Sequence, residues 1–468
     1  MTRSQDPRSR GEPVRGRATL PPGVLPPGVT HDRRRPARRP VPVLLVIGSE
    51  ADAIATVPLV LALREHPSLR PVVVSTGERP DLVDPVLQLA GIGPDVDLGC
   101  GSDVRRNELV ASVMSRVDAL CRERRAGGDG TAGPGHDADG SPGAVLVRGG
   151  TSAAAAAALS AFHLRLPVVH LDTGARADDA ETFAGPTNRR LIADVACLHL
   201  APTPRDAERL VKEGVPYDRV YVCGSTGVDA VRWAAALEQQ PSDPAVAAVA
   251  ASDGPLVVVS VSRREHWNGG IDRIASAVAT LADRRPETSV VVPMHPDPVV
   301  RHQLIPHLGD RPNVVLTEPV PYAELAHLLA RADLVLTDSG GTQEAAPALR
   351  TPVLVALEAT ECTEGVEAGT LQLVGTEPAR ILLWAERLLD DTPERRAMLQ
   401  AVDPYGDGRT SVRIAEALGS LAGDTSAAPE RFGPGFDRRA VLRAAGYRTL
   451  RHAAEEPAVD DDLAPVGI

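Results

Sequence analysis

Short runs of β-branched residues alternate with longer helix-patterned stretches, and no other feature constrains this chain as strongly. VPVLLVI at 41–47 reads as a buried strand, and Ala53 to Arg64 repeats apolar residues at helical spacing. The alternation continues through strands expected at 72–75, 145–147, 168–171, 199–200 and 220–222, with helices near 83–89, 151–162 and 204–212. A polar, proline-bearing stretch at 238–254 interrupts it, and it restarts with strands at 256–261, 289–293, 313–316, 334–336 and 353–355. Strands joined by crossover helices build parallel sheets covered on both faces, so the pattern predicts an α/β fold of two doubly wound domains. The ligand site of such a fold lies beyond the carboxyl ends of the strands, here in the cleft between the domains.

This reading divides the chain into an N-terminal domain at 41–240, a nucleotide-binding domain at 250–400, and a helix at 401–422 that packs back on the first domain. Three segments are expected to be unstructured: a basic tail at 1–40, an insertion at 126–143 (Gly-, Asp- and Pro-rich), and a terminal tail at 423–468. Within the last, 438–455 carries a helical pattern weakened by Gly446. The first 40 residues hold ten arginines against three acids, so a chain of net charge −12 has a body of 428 residues at −19. Such a surface does not attract a phosphate backbone, which argues against nucleic acid. Five scattered cysteines without a CxxC fit neither a disulfide framework nor a zinc site, and a reducing, cytoplasmic setting is expected. No apolar run approaches the roughly 18 residues of a membrane span. The residues call for no metal and no cofactor.

The strongest chemical signal is LVLTDSGGTQEAAPAL at 334–349. A strand there ends in a Ser-Gly-Gly turn that opens a helix, so backbone N–H groups and the positive end of the helix dipole face whatever binds, and a diphosphate suits them. A tight turn that binds nothing is the alternative for SGG taken alone.

Longer stretches carry a resemblance. TDSGGTQEAAPALRTPVLV (337–355), EGVEAGTLQLVGT (364–376), HLAPTPRDAERLVKEGVPYDRVYVCGSTGVDAV (199–231), SRREHWNGG (262–270), PMHPDP (293–298) and PYGDG (404–408) stand in the order found in the non-hydrolysing UDP-N-acetylglucosamine 2-epimerases. The chain resembles that family from about 43 to 420. The resemblance implies two Rossmann-like domains in the glycosyltransferase-B arrangement, a UDP-sugar ligand, and a possible homodimer. It also implies interconversion of UDP-N-acetylglucosamine and UDP-N-acetylmannosamine by elimination and re-addition of UDP. Carried over residue by residue, it gives Asp172 as the acid/base candidate and His295 as a weaker one. For the nucleotide sugar it gives Ser339, Gly340, Gly341, Gln343, Glu344, Arg176, Arg263 and Arg264.

The sequence departs from the family pattern at reactive positions. Glu50 stands for an arginine and Ala55 for a lysine of the first loop, and Gly150 for an aspartate. Residues 184–189 (AGPTNR) lack two glutamates, Ser262 replaces a histidine, and Ala345 replaces a glutamate. Leu357 and Cys362 replace arginines, and Leu325 an aromatic. His266 is expected at the surface. Three readings remain open: an isomerase working through Asp172, a catalytically silent nucleotide-sugar-binding or regulatory member, and a changed reaction in which Arg148 contacts an anion.

Overall fold

The computed structural model describes residues 39–102, 104–126, 142–174, 184–239, 241–424 and 428–455. The basic tail to residue 38, the insertion at 127–141, Arg176 and the residues from 456 onward lie outside the described residues.

Two parallel sheets form the chain. The first contains β1 (Val41–Ile47), β2 (Leu69–Ser75), β3 (Val96–Asp97), β4 (Ala144–Arg148), β5 (Val168–Leu171), β6 (Leu198–Ala201) and β7 (Val220–Val222), in the order β3-β2-β1-β4-β5-β6-β7. The second contains β8 (Leu256–Ser260), β9 (Ser289–Pro293), β10 (Val314–Thr317), β11 (Leu334–Thr337), β12 (Val353–Val355) and β13 (Leu371–Leu373), in the order β10-β9-β8-β11-β12-β13. Every residue of β1 is buried, because helices cover both faces of a parallel sheet and leave no polar side for alternation. The fold is therefore α/β, with two doubly wound domains.

This topology fixes the site. Strand order reverses between β1 and β4 and again between β8 and β11, and at such a point the two loops diverge and leave a crevice. The loops after these four strands carry Glu50, Gly149-Gly150, Ser262-Arg263 and Ser339-Gly340. A helix, Glu50–Glu65, begins directly after β1 under a capping box: Ser49 Oγ accepts from Asp52 N, and Asp52 Oδ2 accepts from Ser49 N, each at 3.2 Å.

Several elements differ from the sequence expectation. A 21-residue helix, Arg106–Ala126, runs up to the insertion and lays Leu109, Val113, Val117 and Cys121 on the alanine-rich helix Ser152–His163. Inside the stretch expected as a linker, Asp243 caps a short helix, Pro244–Ala250, and accepts from Ala245 N at 2.8 Å. These differences do not extend to the helix Thr410–Leu421, which packs on Glu50–Glu65 of the first domain.

The terminal segment is the main correction. Residues 428–455, expected to be unstructured, pack along the first domain: Tyr221 Oη donates to Glu430 O at 2.6 Å and Val222 N donates to Pro434 O at 2.9 Å. Buried Val441, Leu442 and Leu450 hold the segment by apolar contact. The helical pattern of 438–455 splits into Arg438–Ala444 and Leu450–Glu455, because Gly446 turns left-handed at φ +77°. Beneath the segment, buried Arg413 donates to Asp407 Oδ1 at 2.8 Å and lies over the Phe432 ring. Among the described residues, no helix is long and apolar enough to cross a membrane.

Candidate active-site cleft

A cavity of about 530 Å³ opens between the two sheets. Its first-domain wall carries Glu50, Ala55, Arg148, Asp172, Asp206 and Arg209, and its second-domain wall Ser339, Gly340, Gly341, Glu344, Glu361 and Glu364. Ile54, Val231, Leu325 and Leu329 give it an apolar side.

The SGG turn sits where a diphosphate could be held. Ser339 occupies the N-cap of the helix Gly340–Ala348 but makes no side-chain cap bond, so the first-turn N–H groups keep their capacity to donate into the cavity. A Cβ at Gly341 would meet nothing nearer than Ser339 Oγ at 4.0 Å, whereas one at Gly340 would stand 2.9 Å from Glu361 Oε1.

Three arginines near the cavity are already committed to carboxylates. Arg148 Nη1 pairs with buried Asp52 Oδ1 at 3.2 Å. Arg209 Nη1 pairs with Asp206 Oδ1 at 2.9 Å and donates to Gly174 O at 3.2 Å. Arg263 is bound to Glu361. A paired guanidinium has little net charge left for a ligand, and the unbalanced members of the wall are acids. Burial pushes the Glu50 carboxyl up against the opposing pull of Arg79. Burial also pushes Glu344 up to about 7, although Ser225 Oγ donates to its Oε2 at 3.1 Å.

Asp172 lies at the end of β5, 2% exposed, with Oδ1 accepting from Thr173 N at 2.9 Å, and it lines the cavity. Opposite the end of β4, Gly150 is hemmed in. A Cβ there would stand 2.5 Å from the carbonyl oxygen of Gly185 and 3.2 Å from Arg189 Cβ. Asn188 Nδ2 fixes this approach by donating to Gly150 O at 3.1 Å. His170 supports the same turn from below, its Nε2 3.0 Å from Gly149 O.

The other candidates take different places. Gln343 is buried and does not line the cavity; its Oε1 accepts from Thr360 Oγ1 at 2.6 Å. Arg263 stands behind Gly340, and Arg264 is exposed and stacks on Trp267 at 5.6 Å. His295 is exposed and outside the cavity lining, its Nδ1 accepting from Asp297 N at 3.2 Å in a local turn. It follows β9, which lies outside the β8–β11 switch point. His266 is not at the surface: it is buried, with Nδ1 3.0 Å from Asp338 Oδ2. Asp338 also accepts from Ser262 N at 2.9 Å and Arg263 N at 3.0 Å, so it organises the loop after β8. Gly270 leaves the space for the His266 side chain, since a Cβ there would come within 2.8 Å of its Cβ and 3.2 Å of the ring.

Sequence reasoning missed Asp206, Arg209 and Glu364. The one visible signal was Thr203-Pro-Arg-Asp206, a helix N-cap followed three residues later by an acid. Among the described residues, no group of three or more His, Cys, Asp or Glu side chains could hold a metal ion.

The family model described as UDP-N-acetylglucosamine 2-epimerase matches residues 61–419. A putative UDP-N-acetylglucosamine 2-epimerase of Thermotoga maritima is 36% identical over 379 residues, covering 80% of this chain and 96% of the relative. The crystal structure of a putative UDP-N-acetylglucosamine 2-epimerase from Listeria monocytogenes superposes with a TM-score of 0.75 at 31% identity, covering 85% of this chain and all of that one. The UDP-GlcNAc 2-epimerase of Neisseria meningitidis, solved bound to UDP-GlcNAc, gives a TM-score of 0.69 at 30% identity, covering 81% and 99%.

Proposed function

The chain belongs to the UDP-N-acetylglucosamine 2-epimerase family, and from that premise we propose that its cleft binds a UDP-sugar without performing the family's reversible C2 epimerisation. The observation that carries this reading is Gly150. The resemblance puts an acid/base aspartate there, and in this chain a Cβ at 150 would stand 2.5 Å from a backbone carbonyl oxygen. Proton transfer at C2 requires a group within hydrogen-bond reach of the carbon-bound proton, and no carboxylate fits at that position. The first loop supports the same conclusion. Glu50 lines the cavity where the resemblance puts an arginine, and a carboxylate beside a departing diphosphate raises the barrier that a cation would lower.

Binding rests on the other wall. The open helix N-terminus at Ser339, Gly340 and Gly341 supplies backbone donors to a diphosphate without any side-chain cation, and the Neisseria relative holds UDP-GlcNAc. Two measurements test the proposal. UDP or a UDP-sugar is expected to raise the melting temperature, while UDP-N-acetylglucosamine incubated at high protein concentration is expected to give no C2 epimer by NMR. Turnover that is lost in Asp172→Asn would replace this reading with that of an active isomerase. The absence of any nucleotide-induced shift would remove the binding half.

A further inference from the structure

Beside the packing of the helix Thr226–Ala235 on the helices Tyr322–Arg331 and Gly340–Ala348, two hydroxyl–carboxylate contacts join the domains at the cleft. Ser225, the N-cap of the helix Thr226–Ala235, accepts from Gly227 N and donates to Glu344 Oε2 at 3.1 Å across the cleft. Thr203, the N-cap of the helix Pro204–Lys212, has Asp206 Oδ2 at 2.8 Å from its own domain and Glu364 Oε1 at 2.9 Å from the other. Its Oγ1 also accepts from Asp206 N at 3.1 Å.

A threonine hydroxyl has one proton to donate and two lone pairs. Two ionised carboxylates cannot both accept from Thr203, so the arrangement is satisfied only when one of them holds a proton and donates back to Oγ1. That proton is shared within the Asp206–Thr203–Glu364 group: burial raises the Asp206 carboxyl and Asp172 and Glu364 push it further, against the Thr203 hydrogen bond and the pull of Arg209. Burial raises Glu344, Asp206 and Asp403 add to it, and the Ser225 hydrogen bond and Arg148 oppose; Cys362 and Tyr405 are the neutral neighbours on its other side. Arg205, beside Glu364, is itself bound to Glu367.

We propose that closure of the two domains is proton-linked: the seam through Ser225–Glu344 and Thr203–Asp206–Glu364 forms when carboxyls within it take up protons, and it opens when they are lost. The direction follows from burial. An acid raised in the closed form and ordinary in the open form favours closure below its raised value, and closure weakens as pH climbs through it. With Glu344 at about 7 when closed, the closure equilibrium shifts about tenfold between pH 8 and pH 6 from this group alone.

Small-angle scattering of the full chain without nucleotide tests this, and its result is independent of whether the cleft binds a UDP-sugar. The radius of gyration is expected to fall between pH 8 and pH 6, and amide exchange at 225–229 and 340–344 to slow over the same range after correction for intrinsic rates. Glu344→Gln keeps an acceptor for Ser225 but no longer titrates, and it is expected to remove the tenfold dependence; Asp206→Asn is expected to flatten what is left. A wild-type profile with no transition between pH 8 and pH 6 overturns the proposal on its own, whether or not the variants fold. A transition that survives unchanged in folded Glu344→Gln, Asp206→Asn protein overturns it as well.

Discussion

The two walls of the cleft are built from different materials. On the second domain, the contact offered to a ligand is main chain: a helix N-terminus opened by Gly340 and Gly341 after β11. On the first, it is side chain: Glu50 and Ala55 line the cavity where the family resemblance places an arginine and a lysine, and Gly150, in the turn after β4, stands where it places an aspartate. A main-chain donor survives most substitutions because every residue but proline carries one, whereas a side-chain charge disappears in one step. The difference explains how family-level similarity over most of the chain coexists with a changed reactive wall.

The largest expected effect breaks the second wall. Gly340→Val places a branched side chain within 2.9 Å of Glu361 Oε1 and over the helix terminus, and UDP affinity by calorimetry is expected to fall about a hundredfold, roughly the 1.5–3 kcal/mol of a hydrogen bond to a charged group. Unchanged affinity in a folded variant would move the diphosphate elsewhere. On the first wall, Arg148→Ala leaves Asp52 buried without its partner, which is expected to cost about 2 kcal/mol of stability in urea while changing nucleotide affinity little, because that cation is spent on Asp52. A large affinity loss with stability intact would instead make Arg148 a ligand contact.

A gain of function sharpens the comparison further. Glu50→Arg with Ala55→Lys restores cations to the first wall and is expected to tighten UDP binding about tenfold at low salt, less at high salt. If the double variant binds no better, the first wall does not face the diphosphate. The smallest effect is expected at Asp172, where Asn preserves the turn to Thr173 N: affinity should stay within about twofold, and neither protein should produce the C2 epimer.

Much of the fold was legible because valine-rich runs such as Val168–Leu171, Val220–Val222 and Val353–Val355 can only be buried parallel strands, and the structure returns those boundaries unchanged. Elements too short to pattern, such as β3 and β13, were not. The helix Arg106–Ala126 was readable in principle, since Leu109, Val113, Val117 and Cys121 recur every four residues, but its charged remainder hid them. In the site, glycine turns and strand ends were readable from local chemistry. The pairing of Asp338 with His266 and the meeting of Thr203 with Glu364 were not, because each joins residues far apart in sequence through a hydrogen bond that leaves no local pattern.

The crowding at Gly150 bears on how such a chain can change over generations. A carboxylate cannot return there by one substitution, since the carbonyl of Gly185 must first withdraw along with the start of the helix Ala184–Val195, which Asn188 holds in place. Placing a carboxylate in this turn therefore takes two coordinated changes, the start of the helix first and the side chain second.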